Sequence, residues 1–216
     1  VQECIGSSDS DFEIWHSLLE SRFICGNRTV FSALHARLQR QIGSLDCAQY
    51  VRDLIVAIEL RHRKYGHSTK LLEPNVKNSA GSLRDLHSVL WIGRGTGLAK
   101  LSLRPDPKQT ALTEMLRGPL LRKHFGTRFL HEARHGLDFL LRIRNEMHLQ
   151  AQALHDTLEF NLQRQVAKAL KYRDSATRTS VERFMKDYYV AARLVSQLAR
   201  RMTNWAHDRY LGEAGQ

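Results

Sequence analysis

The sequence predicts an all-α protein, a helical bundle of about seven to eight helices that can divide into two helical subdomains. Three observations lead there. Apolar residues recur at three- and four-residue steps along most of the chain, with no sustained alternation. Leu, Ala, Arg, Gln and Glu are abundant, while only four of the 216 residues are proline. Capping residues and glycine stops punctuate the apolar runs at helix-length intervals. Hydrophobic residues at 42% and charged residues at 25% are the balance of a folded domain, long enough to bury a core without disulfides. The expected organisation is one domain overall, made of N-terminal helices over 1–92, an irregular connection 93–109 and a C-terminal bundle 110–216.

Ser10-Asp11-Phe12-Glu13 has the S-x-x-E spacing of a capping box, and Ile14, Trp15, Leu18, Leu19 and Phe23 follow as one apolar stripe. A helix is therefore expected over about 11–25, ended by Gly26-Asn27. Val30, Phe31, Leu34 and Leu38 predict the next helix over about 29–42, with Gly43 as its stop and Ser44 as the following cap. A third carries Val51, Leu54, Ile55 and Ile58 up to Tyr65. Arg61, His62, Arg63 and Lys64 stand on its last turn, where the helix dipole favours cations.

Residues 66–82 concentrate Gly66, Pro74, Asn75, Asn78, Ser79, Gly81 and Ser82, turn formers that predict a long structured loop. Helical spacing returns over 83–92 and is expected to break at Gly93-Arg94-Gly95-Thr96-Gly97. A helix over about 110–116 is followed, after Gly118-Pro119, by a long run past His148 that Gly126 and Gly136 can interrupt. Another is expected over about 155–171. Thr179-Ser180-Val181-Glu182 is a second capping box, and it opens the clearest helix of the chain, apolar along Phe184, Met185, Tyr188, Ala191, Ala192, Val195, Leu198, Met202 and Trp205.

The three cysteines, Cys4, Cys25 and Cys47, are odd in number and lack metal-site spacing, so a reducing cytoplasm fits best. No apolar stretch approaches the roughly 18 residues of a membrane span. A net charge of +11 favours acidic or phosphate-bearing partners. The cations are spread over every helix without clustered aromatics, which disfavours a nucleic-acid-binding module, the alternative class.

His131-Glu132-Ala133-Arg134-His135 matches H-E-x-x-H, which on a helix puts two imidazoles on one face for zinc and would make the protein a hydrolase. No third ligand stands in a familiar extension, so a mixed polar face is the expected reading. Gly6-Ser7-Ser8-Asp9-Ser10-Asp11 mimics the glycine and paired aspartates of nucleotidyltransferases, but one residue separates Ser7 from the first aspartate where a strand-forming segment is needed. His155-Asp156 and His207-Asp208 are doublets without further ligands. No catalytic residue and no metal site is therefore assigned to this chain.

The most informative string is Glu73-Pro74-Asn75-Val76-Lys77-Asn78-Ser79-Ala80-Gly81-Ser82-Leu83-Arg84-Asp85-Leu86. A loop running through glycine into a helix start exposes amide donors, and Lys77 and Arg84 add charge for an anion. The alternative is that Arg84 and Asp85 only brace the loop. This string resembles the EPNxKxxxGGLRDL signature of bacterial PII-protein uridylyltransferase/uridylyl-removing enzymes, with Ser82 at the usual second glycine, and it is more distantly similar to glutamine synthetase adenylyltransferases. Further matches run in the same order. Leu18-Leu19-Glu20-Ser21-Arg22 resembles LLEAR, and Phe139-Leu140, Arg144 and His148 resemble FL..R..LH. Asp156, Leu158, Phe160, Gln163 and Ala167 resemble D.L.F..Q..A, and Val181 to Tyr189 resembles VE.FM..YY.

The resemblance implies a helical accessory segment between a nucleotidyltransferase domain and an HD domain, which would be its partners together with UTP and the PII protein. Magnesium and UTP are implied for the parent enzyme, and no cofactor for this chain alone. It also implies Lys77 and Arg84 as contacts to UTP phosphates, Asp85 as the residue orienting Arg84, and Pro74, Asn75 and Gly81 as setters of loop geometry.

Overall fold

A computed structural model describes residues 12–99 and 110–212. Among the described residues the secondary structure is helical apart from one isolated antiparallel bridge, Asn75 with Thr157. The helices are α1 Phe12–Leu19, α2 Arg28–Gly43, α3 Cys47–Tyr65, α4 Leu83–Gly95, α5 Ala111–Leu116, α6 Pro119–Phe125, α7 Thr127–Ala151, α8 Phe160–Ala169 and α9 Ser180–Tyr210. None of them is long and apolar enough to cross a membrane. The chain divides into two compact units, one from the described residues of Val1–Asp53, Leu90–Leu130 and Ala206–Gln216, the other from Leu54–Val89 and His131–Trp205.

In the first unit, α1 stops at Leu19, short of the expected end near residue 25. Leu19 is fully buried and its carbonyl accepts the Arg94 guanidinium, so the group that would continue the helix is satisfied from 75 residues away. Asn27 then caps α2 by accepting from the Thr29 amide at 2.8 Å. Ser44 closes α2 rather than opening α3. Asp46 is the cap of α3, its carboxylate taking the Ala48 and Gln49 amides, both at 3.0 Å. Helix α4 ends at Gly95, inside the Gly93–Gly97 string where the break is expected but three residues past Ile92, and Gly95 lies so close to the Tyr50 ring that a Cβ there would stand 2.2 Å from Cε1. Tyr50 donates to the Trp91 carbonyl at 3.1 Å, and His16 stacks on the Trp91 ring. Gly126, at φ +82°, separates α6 from α7. The Ser10 cap and the Gly6–Asp11 string lie outside the described residues.

The second unit is built on α9. The capping box forms as read: the Glu182 amide donates to Thr179 Oγ1 at 3.2 Å, and the Thr179 amide donates to the Glu182 carboxylate at 2.7 Å. Thirty-one residues make α9 about 46 Å long at about 1.5 Å per residue. Within this unit its stripe of Phe184, Tyr188, Ala192, Val195, Leu198 and Met202 is buried, together with Ala133, Leu140, Ile143 and Met147 of α7. Gly136 does not interrupt α7. Its Cβ position lies 3.6 Å from the Ala191 carbonyl of α9, ordinary packing distance for two close helices. Helix α8 begins at Phe160 rather than near residue 155, since residues 156–158 pair with the loop instead.

Candidate functional site

The second half of the loop 66–82 is tied down at successive residues. Glu73 accepts the Phe160 amide at 2.8 Å and so caps α8 from a distant stretch of chain. The Pro74 carbonyl accepts from Leu158, and the Val76 amide donates to the Asp156 carbonyl at 2.8 Å, flanking the Asn75–Thr157 bridge. Asn75 folds the chain back with its own carboxamide oxygen, which accepts the Lys77 and Asn78 amides at 3.2 and 2.8 Å. Gln163, buried on α8, donates to the carbonyls of Leu72 and Leu158. From Pro74 to Ser82 the loop is buried or half-buried, and the backbone groups named here are paired inside the protein.

Gly81 sits at φ +77°, and a Cβ there would stand 2.3 Å from the Ala192 carbonyl of α9. Both the backbone conformation and the close approach require glycine. Ser82 makes no such demand: its φ is not positive, and its hydroxyl donates to the Lys77 carbonyl at 2.7 Å. Serine therefore holds the loop at the position where the family signature has glycine.

The start of α4 differs from the sequence expectation. Its first amides are spent inside the protein: Leu83 donates to the Val76 carbonyl, Arg84 to the Lys77 carbonyl at 2.9 Å and Asp85 to the Ser82 carbonyl. Anion binding by a free helix N-terminus is thereby removed, and side chains carry whatever ligand chemistry the loop has.

Asp85 is almost wholly buried, and both its oxygens are engaged. Oδ1 accepts from Arg61 at 2.6 Å and His62 at 2.8 Å, and Oδ2 accepts the Gly81 amide at 2.7 Å. An ionised carboxylate only accepts, so His62 donates from Nε2. Burial pushes this carboxyl up; the hydrogen bond from His62 and the charge of Arg61 together outweigh burial and hold it below the usual carboxylate range. Asp85 thus faces Arg61 and His62, where the sequence reading paired it with Arg84. Arg61 and His62, read there as dipole cations, are the residues it missed, and no local spacing links them to a partner more than 20 residues downstream.

A second cluster gathers on Asp156. Arg144 meets Oδ1 through Nε at 2.7 Å, His148 meets the same oxygen at 3.2 Å, and the Lys77 ammonium lies 4.0 Å from Oδ2. Burial raises the Asp156 carboxyl, but hydrogen bonds from Arg144 and His148 and the charges of Arg144 and Lys77 depress it below its ordinary value. The other sequence candidates do not assemble. His131 and His135 lie 3.3 Å apart on an exposed face, His207 pairs with neighbouring Asp208, and among the described residues no three His, Cys, Asp or Glu side chains gather as a metal site.

These features define an all-α protein segment organised around a braced loop-to-helix junction. The chain belongs to the GlnD PII-uridylyltransferase family, whose profile matches residues 32–203. It is 34% identical over 198 residues to the bifunctional uridylyltransferase/uridylyl-removing enzyme of Rhodopseudomonas palustris, covering 92% of this chain and 20% of that protein. It is 33% identical to the enzyme of the same name from Ralstonia nicotianae and 35% identical to that from Cupriavidus pinatubonensis, covering 92% of this chain and 21% of each relative. The chain thus spans about a fifth of the length of these curated relatives. No solved structure matches it.

Proposed function

We propose that this chain is the helical accessory segment of a cytoplasmic enzyme that attaches UMP from UTP to the PII protein and removes it again. The observation carrying this reading is family membership across nearly the whole chain, at a fifth of the relatives' length. On this reading the segment braces a nucleotidyltransferase domain and lines its nucleotide or protein-substrate cleft. The transfer chemistry, with its magnesium, belongs to that neighbouring domain, and the chain alone transfers no UMP.

Lys77 and Arg84 are the proposed contacts to UTP phosphates, and Asp85 acts at a distance by fixing the junction between the loop that carries Lys77 and the start of α4 that carries Arg84. The rigidity of the loop supports this, since a cation held on a braced loop loses little entropy on meeting a ligand. In the full-length enzyme, Lys77→Ala and Arg84→Ala are expected to raise the KM for UTP or slow transfer while leaving the helical circular dichroism intact. Unchanged kinetics in both variants would refute the reading.

A further inference from the structure

We infer that Lys77, Arg144 and His148 form a recognition site for a phosphoryl or phosphoanhydride group, with Asp156 as the positioning residue that seats Arg144. The inference deepens the proposed function, and its nucleotide arm rests on that reading. The three side chains come from the loop and from two successive turns of α7, and they converge on a carboxylate in the connection before α8.

The charges are unequal. Two permanent cations and an imidazole face one carboxylate, whereas an ion pair serving only stability needs one partner for each charge. Donors are also left over. Arg144 uses only Nε on Asp156, so the ends of its guanidinium, the fork that suits phosphate, are available to a second anion. Lys77 stands beyond hydrogen-bond reach of Asp156, so all three of its ammonium donors are unspent by that contact.

The cluster is sheltered yet open. Side-chain exposure is 38% at Lys77, 28% at Arg144 and 19% at His148, enough for a ligand to reach donors whose field is less screened than on open surface. The backbone amides of the neighbouring helix start are spent, so an anion here would be met by side chains. A planar fork beside an ammonium and an imidazole matches a group carrying two or more negative charges better than a single carboxylate.

The test is calorimetric titration of this chain with inorganic triphosphate, and separately with UTP. Saturable triphosphate binding is expected. Arg144→Ala should weaken it by at least ~10-fold, and Arg144→Lys, which keeps the charge but loses the fork, should fail to restore it. Arg193→Ala, which removes an exposed cation of α9 in the same unit, should leave affinity unchanged. Absence of saturable binding overturns the site, as does an equal loss in Arg193→Ala and Arg144→Ala, or full rescue by lysine. Competition between UTP and triphosphate is the expected sign of a nucleotide source, and failure of UTP to compete removes it. If Lys77→Ala and Arg84→Ala both leave UTP kinetics of the full-length enzyme unchanged while Arg144→Ala abolishes triphosphate binding, the functional reading falls and the site stands. The opposite pair of results removes the site alone.

Discussion

Replacing Asp85 by asparagine exchanges one carboxylate oxygen for an amino group at a point where three donors converge. Oδ1 takes Arg61 and His62, and Oδ2 takes the Gly81 amide. Asparagine offers one acceptor oxygen and one donor. Whichever way the new amide turns, either the Arg61–His62 pair or the Gly81 amide faces an N–H group. Removing one partner of a buried ion pair costs about 3–5 kcal/mol, and a buried charge-assisted hydrogen bond contributes about 1.5–3. Arg61 keeps its bond to the Asn78 carbonyl, and His62, at 17% exposure, can turn toward water, so the loss should lie at the lower end, about 3 kcal/mol. That is a large share of the roughly 5–15 kcal/mol of an ordinary domain. Urea unfolding followed by circular dichroism measures it. A loss below about 1 kcal/mol for Asp85→Asn would refute the claim that this carboxylate organises the loop.

Gly81→Ala should destabilise by about 2–4 kcal/mol in the same assay, combining left-handed strain with a Cβ driven into the Ala192 carbonyl. Ser82→Gly, which restores the family's string, should lower stability by about 1 kcal/mol through loss of the hydroxyl bond to Lys77, and a gain would show that the serine is a compromise. Asp85 and Asp156 both have depressed folded-state values, so their contribution is fully present above the unfolded aspartate value of about 3.9 and is lost as pH falls through the folded-state values below it. Acid titration of stability should show this drop below about pH 4 in the wild type and a shallower one in Asp85→Asn/Asp156→Asn.

What was legible in the sequence was local. The Thr179–Glu182 box, the Asn75 turn and the α9 stripe each involve residues a few positions apart, and each stands where the spacing placed it. The elements misjudged were those decided from far along the chain. Helix α1 ends where Arg94 reaches Leu19, α4 runs three residues into its glycine string with Gly95 packed against Tyr50, and α8 starts late because residues 156–158 pair with 74–76. Arg61 and His62 looked like dipole partners for the same reason. Helix-end cations are favourable anywhere, and only the fold brings a buried carboxylate against these two.

The same division separates structural from functional letters within the signature. Glu73 is spent capping α8, Asn75 turning the chain, Gly81 admitting α9 and Asp85 gathering Arg61 and His62. Each of these is engaged by the fold itself, so loss of any one should reach a ligand through the shape of the loop. Lys77 differs. Its backbone carbonyl anchors Arg84 and Ser82, while its ammonium stands clear of full pairing beside an arginine that shares its counter-ion. Donors left unspent next to a shared carboxylate cost desolvation without completing an ion pair, and an incoming anion offsets that cost. Charge left over at the Lys77–Arg144 cluster, more than the signature as a string, therefore points to where a phosphate would bind.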